Sequence, residues 1–205
     1  MNENNQSYVY NWAESKMEER KNSKVYSIEN LCLFLIYAMS TFIKQSEGER
    51  SNVDKHYLND ASLFEFGCYF YFRIDLWLFG NKPNLREKIG TMFSSIIYQL
   101  FSRALSIDGP NICEIFKERI NKYAELIKKG DVVDSHYPYL LDLVLHTKDG
   151  ALPKKYNSGE VPLILESFAD EALLKIKIMS WEIHMWPGVI KSLAEYCNSL
   201  ERSTS

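Results

Sequence analysis

Residues 62–79, Ser-Leu-Phe-Glu-Phe-Gly-Cys-Tyr-Phe-Tyr-Phe-Arg-Ile-Asp-Leu-Trp-Leu-Phe, constrain the fold more than any other stretch, because 13 of the 18 are apolar and eight are aromatic. Such a run has to be buried on nearly every side. Its alternation also suits a strand, since every even position from Phe64 to Leu78 is apolar. Length decides between the two. A strand over residues 64–79 would reach about 53 Å at about 3.3 Å per residue, far past the usual strand, whereas a helix spans about 24 Å. Ser62 with Glu65 three residues on reads as a capping box, and Gly80 stands where a C-terminal cap belongs.

Three charges interrupt this helix: Glu65, Arg73 and Asp75. Buried charges must be paired. Glu65, Tyr69 and Arg73 recur every fourth residue and so form one stripe, with Tyr69 between carboxylate and guanidinium and Asp75 off the line. The stripe is either a structural ion and hydrogen-bond network that fixes helix register, or a polar pocket where a partner or ligand docks. In both cases Glu65 and Arg73 are expected to be coupled through Tyr69.

The rest of the chain reads as helix after helix. Residues 1–24 form a polar N-terminal arm with some helical character, and 25–205 form one helical domain. Ser27 opens a segment to about Gln45, and a polar connector, 46–60, precedes the aromatic helix. Asn84 with Glu87 and Asn111 with Glu114 read as further capping boxes, with Gly109-Pro110 as the break between their helices. A shorter helix over about Pro138 to Thr147 is followed by a long loop, 148–160. Pro162 then opens the longest helix, whose core stripe is Leu165, Phe168, Ala172, Ile176, Met179, Ile183 and Trp186. Pro187-Gly188 ends it, and a last helix runs over about Val189 to Arg202. No internal repeat is evident, so six or seven helices without a strand imply an all-α single-domain bundle rather than a solenoid.

Composition narrows the function classes. A chain of 205 residues with 46% hydrophobic content buries a substantial core. A formal charge of −3 shows no basic excess, which weighs against a dedicated nucleic-acid binder. The four cysteines, Cys32, Cys68, Cys113 and Cys197, are far apart within apolar helical patterns, and read as reduced small hydrophobes. No secretory signal opens the chain, and the longest uncharged apolar run, Leu31 to Ile43, is too short to span a bilayer. A soluble cytoplasmic protein is the expectation.

The sequence contains no G-x-S-x-G, G-x-x-x-x-G-K-[ST], G-x-G-x-x-G, H-E-x-x-H, C-x-x-C or E-x-x-H pattern, so no cofactor is expected. Asp142 and His146 lie four apart with His136 upstream, residues of metal-ligating type. Each has a simpler reading, Asp142 as a solvated carboxylate and His146 as a cation favoured near a helix C-terminus. Trp186 continues the core stripe of the long helix, whereas Trp181 lies off it, either packed or exposed as an interface anchor.

Arg50 and His56, with five residues between them, resemble the R-x(4-6)-H motif of HEPN domains. These are small all-α proteins, many of them metal-independent ribonucleases. The resemblance implies that Arg50 and His56 act at a scissile phosphate.

The expectation carried forward is a non-catalytic helical protein acting through protein contacts, with itself or with another protein. The 28 aromatic residues are many for one helical core to hide. The alternatives are the HEPN-like ribonuclease and a bundle binding a small apolar ligand in an aromatic pocket around Tyr69.

Overall fold

The computed structural model describes residues 7–20, 25–43, 57–128, 136–150, 152 and 168–204. Among the described residues are seven α-helices and no strand, so the chain is an all-α bundle. The helices are Tyr8–Arg20 (α1), Ile28–Ser40 (α2), Asp60–Asn81 (α3), Pro83–Ala104 (α4), Gly109–Lys128 (α5), His136–Leu145 (α6) and Phe168–Thr204 (α7).

Helix α3 carries the aromatic run and sits at the centre, packed against α2, α4, α5 and α6. Four neighbours explain why it is apolar nearly all round. At Gly67 it lies close against α2, where an added Cβ would be 2.9 Å from the Met39 sulfur. Phe42 stacks on Phe66 at 4.1 Å between ring centroids, and Phe70 leans on Phe93, extending one core through the bundle. Helix α1 belongs to the same core, since Val9 and Ala13 are buried against it. The Asp60 carboxylate, at the start of α3, accepts from the Ser7 hydroxyl and from the backbone N–H of Tyr8 and Val9, capping α1 from a neighbouring helix.

Several helix starts differ from the sequence expectation. Ser27 does cap α2, accepting from the backbone N–H of Asn30. Helix α3, however, begins three residues early: the Asn59 side chain accepts from Ala61 and Ser62, and the Ser62 hydroxyl accepts from the Asn59 N–H. Glu65 is unavailable for a cap because a distant arginine binds it. Helix α3 also continues through Gly80 to Asn81. Helix α4 starts on Pro83, whose fixed φ suits the first helical position, so the Asn84 and Glu87 pair is already inside the helix. For α5 the Asp108 carboxylate accepts from the Asn111 N–H, which moves the start ahead of Asn111.

Helix α7 departs furthest. It runs unbroken through Pro187 instead of ending there. Proline removes the bond that its N–H would have made to the Ile183 carbonyl, and both residues are on the exposed side of the helix, where the loss costs less than in the core. The buried face of α7 is also not the expected one. Leu174, Ile178, Trp181, Val189, Leu193 and Cys197 pack inward, while Ala172, Ile176, Met179 and Ile183 face solvent.

Candidate functional site

Beyond Asp60, the three charges of α3, Glu65, Arg73 and Asp75, are each paired with a different helix. Glu65 is fully buried and accepts from Arg119 of α5 at 3.0, 3.2 and 3.3 Å, a two-pronged pair with the arginine 1% exposed. Burial pushes the Glu65 carboxyl above the ordinary carboxylate range, and the Arg119 guanidinium pulls it back. Burial likewise opposes the Arg119 charge, but the adjoining Glu65 carboxylate outweighs it and holds the proton on. Arg119 thereby favours the ionised form of Glu65 without cancelling the upward push of burial.

Arg73 does not meet Glu65. Its guanidinium donates to the Tyr69 hydroxyl at 2.6 Å and to Glu182 of α7 at 2.8 Å, and the Tyr69 hydroxyl itself donates to Glu182 at 2.6 Å. The guanidinium also lies over the Trp186 ring, 4.8 Å from its centroid. The expected stripe is therefore real for Tyr69 and Arg73, but its carboxylate comes from another helix. Burial pushes the Tyr69 hydroxyl up, with Arg73 acting against it. Asp75 takes a bidentate pair of 2.7 Å bonds from Arg86 of α4, which stacks over Phe79.

Trp181 is buried, not an exposed anchor. Its ring packs edge-on to Phe66 and Phe70, and its N–H donates to the Thr41 hydroxyl at 3.0 Å. Trp181, Glu182 and Trp186 together fasten α7 to α2 and α3. Three of the residues singled out in the sequence, Tyr69, Arg73 and Trp181, thus act as the clamp that orients one helix.

That clamp decides which side of α7 is presented outward. Leu173, Ile176, Met179 and Ile183 are 47%, 62%, 43% and 64% exposed. With Ala172 and Ser180, also exposed, they make a sector free of charge along more than three turns. Lys175 and Glu182 border it on one edge, Lys177 and His184 on the other. Helix α7 thus carries apolar residues on its outer side as well as its inner one, with charged residues along the two edges between them.

The weak metal candidates do not converge. His136 opens α6 and is buried, its ring edge-on to Phe72 and Tyr123, whereas His146 follows the helix and is largely exposed. Ten residues separate them, about 15 Å of helical rise. Asp142 lies 3.6 Å from His146. Among the described residues no group of three or more His, Cys, Asp or Glu is placed to hold a metal ion. Arg50 and His56, the HEPN-like pair, lie outside the described residues.

Arg119 and Glu182 were not singled out from the sequence, although each supplies the counter-charge to a residue that was. The one sequence signal for Arg119 is position: it shares a face of α5 with Ile112, Phe116 and Tyr123, at spacings of three, four and seven. Tyr123 is fully buried among the rings of Tyr69, Phe72, His136 and Tyr139, and its hydroxyl has no hydrogen-bond partner among the described residues.

Compared with protein-family models, curated proteins and solved structures, the chain shows no match.

Proposed function

We propose that this chain is a non-catalytic helical protein that works through protein contacts made by the outer face of α7. The observation that carries the reading is the charge-free sector of Leu173, Ile176, Met179 and Ile183, held outward by the Arg73–Glu182 and Trp181–Thr41 bonds. Burying an aliphatic side chain is worth about 1.5 to 3 kcal/mol, so four of them on one rigid helix represent a substantial reserve for association. The Glu65 carboxyl, the Cys68 thiol and the Tyr69 and Tyr123 hydroxyls are enclosed by packed side chains and pushed up chiefly by burial, as interior groups are.

Among the described residues no helix is long and apolar enough to cross a membrane. All four cysteines are unpaired and three are buried, which fits a reducing compartment such as the cytoplasm.

The reading is tested with a photo-crosslinking amino acid at position 176 of the full chain in cells. A protein adduct that disappears in Ile183→Lys is expected. No adduct at position 176, or one equally strong at buried position 178, refutes the reading.

A further inference from the structure

We infer that the partner of the outer face of α7 is the same face of a second copy, packed antiparallel about a two-fold axis level with Ile178. This rests on the contact reading above. Four of the six residues of the exposed sector pair about that level: Leu173 and Ile183 lie five residues to either side, Ile176 and Ser180 two. In such a pair a residue meets the one equally far beyond the axis on the other helix. Leu173 packs on the partner's Ile183, and Ile176 packs on the partner's Ser180. A large side chain thus faces a small one near the centre, where the helices approach most closely.

The charged edges select the direction. Lys175 and Glu182 lie on the same edge of the sector, two turns apart. Antiparallel pairing sets Lys175 beside the partner's Glu182 and Glu182 beside the partner's Lys175, so one operation creates two opposite-charge contacts. Parallel pairing about a two-fold axis would instead bring the Lys175 edge against the partner's Lys177 edge, lysine beside lysine. Lys175 is exposed and has no ion pair among the described residues. Glu182 accepts both Tyr69 and Arg73 through Oε1, which leaves Oε2 for the incoming lysine. Lys177, on the other edge, comes near the partner's Lys177, one repulsion against two attractions, and it already has an interaction within its own chain.

The apolar contact extends only about 15 Å from Leu173 to Ile183, the scale of a weak interface. Sedimentation velocity of the purified full chain from about 1 to 200 μM should show a monomer–dimer equilibrium. Lys175→Glu should weaken it by about tenfold, since it places like charges beside each other. Ile176→Lys should leave a monomer that melts like the parent, both side chains being on the surface. Direction is read from disulfide trapping in a Cys113→Ser background, because Cys113 is the one native cysteine not buried. Met179→Cys, next to the axis, should link to itself. Leu173→Cys should not, yet it should link to Ile183→Cys when the two variants are mixed.

A monomer throughout that range overturns the inference, as does a Leu173→Cys variant that links to itself in preference to Ile183→Cys. If the monomer's crosslinker at position 176 still captures a different protein, the second copy is wrong and the contact reading stands. If it captures nothing, both fail.

Discussion

Replacing Arg119 by Met tests the energetics at the centre of the fold. The substitution leaves Glu65, fully buried, facing an apolar side chain of similar length. Two outcomes are open to the carboxyl: it remains ionised without a counter-charge, or it takes up a proton. The second is cheaper and sets the scale. Holding as a neutral acid at pH 7 a group whose ordinary pKa is 4.5 costs about 1.4 kcal/mol per pH unit, about 3.4 kcal/mol in all. Loss of the charged hydrogen bonds adds to this and brings the expected total to about 4 to 5 kcal/mol, within the range for breaking a buried pair.

The same argument fixes a pH dependence. In the variant the folded-state pKa of Glu65 is raised further, so the folded form holds a proton that the unfolded chain releases. Its stability is fully present below the ordinary 4.5 and is lost as pH rises toward the folded value. The deficit relative to the parent should therefore shrink by up to about 1.4 kcal/mol for each unit that pH falls between 7 and 5. Urea unfolding followed by circular dichroism at several pH values measures both quantities. Glu65→Leu combined with Arg119→Met, which removes both charges, should return to within about 1 kcal/mol of the parent or exceed it. A deficit below about 1 kcal/mol, or one independent of pH, would refute the argument that this pair is a desolvated ion pair.

Arg73, a second charge on α3, should behave more mildly. Arg73→Met should cost about 1.5 to 3 kcal/mol, because Glu182 keeps some contact with water, and a loss equal to that of Arg119→Met would contradict the assignment of partners. Tyr123→Phe removes a hydroxyl without a partner, so the urea midpoint should stay or rise, by up to about 1 kcal/mol in stability; a clear drop would reveal a bond to that oxygen. Two helical glycines should respond oppositely. Gly80→Ala, with open space around the added methyl, should stabilise by roughly 0.5 to 1 kcal/mol, whereas Gly67→Ala should destabilise because the methyl collides with the buried Met39 sulfur. Thermal melts that rank the pair the other way would show that α2 and α3 are not in close contact. Purified protein should leave RNA intact without divalent metal; cleavage abolished by His56→Ala would replace the contact reading with the ribonuclease reading.

Periodicity and punctuation alone determined the class of fold. Helices are local objects: spacing of apolar residues, an N-cap at Ser27, and turn residues near 82 and 109 act within a few positions of themselves, so an all-α bundle was legible in the chain. The length of residues 62–79 made that segment a helix, and its aromatic content made it central. The stripe of Tyr69 and Arg73 was legible for the same reason, since a four-residue spacing needs no tertiary information.

What the sequence left open are choices between equivalent local options. Glu65 is one turn from Tyr69 and suits either Arg73 or a cap at Ser62; its actual partner, Arg119, is 54 residues away and reaches it only through the packing of α5 on α3. Helix α7 carries two apolar faces with equally regular spacing, and nothing within the helix ranks Ile176 and Ile183 below Ile178 and Trp181. Tertiary contacts ranked them. The Trp181 N–H found Thr41, Glu182 found Tyr69 and Arg73, and those fixed points rotated the other aliphatic face into solvent. A repeat of three and four residues specifies that a helix has a buried side, but when two sides qualify, the polar anchors contributed by neighbouring helices decide which one the core receives.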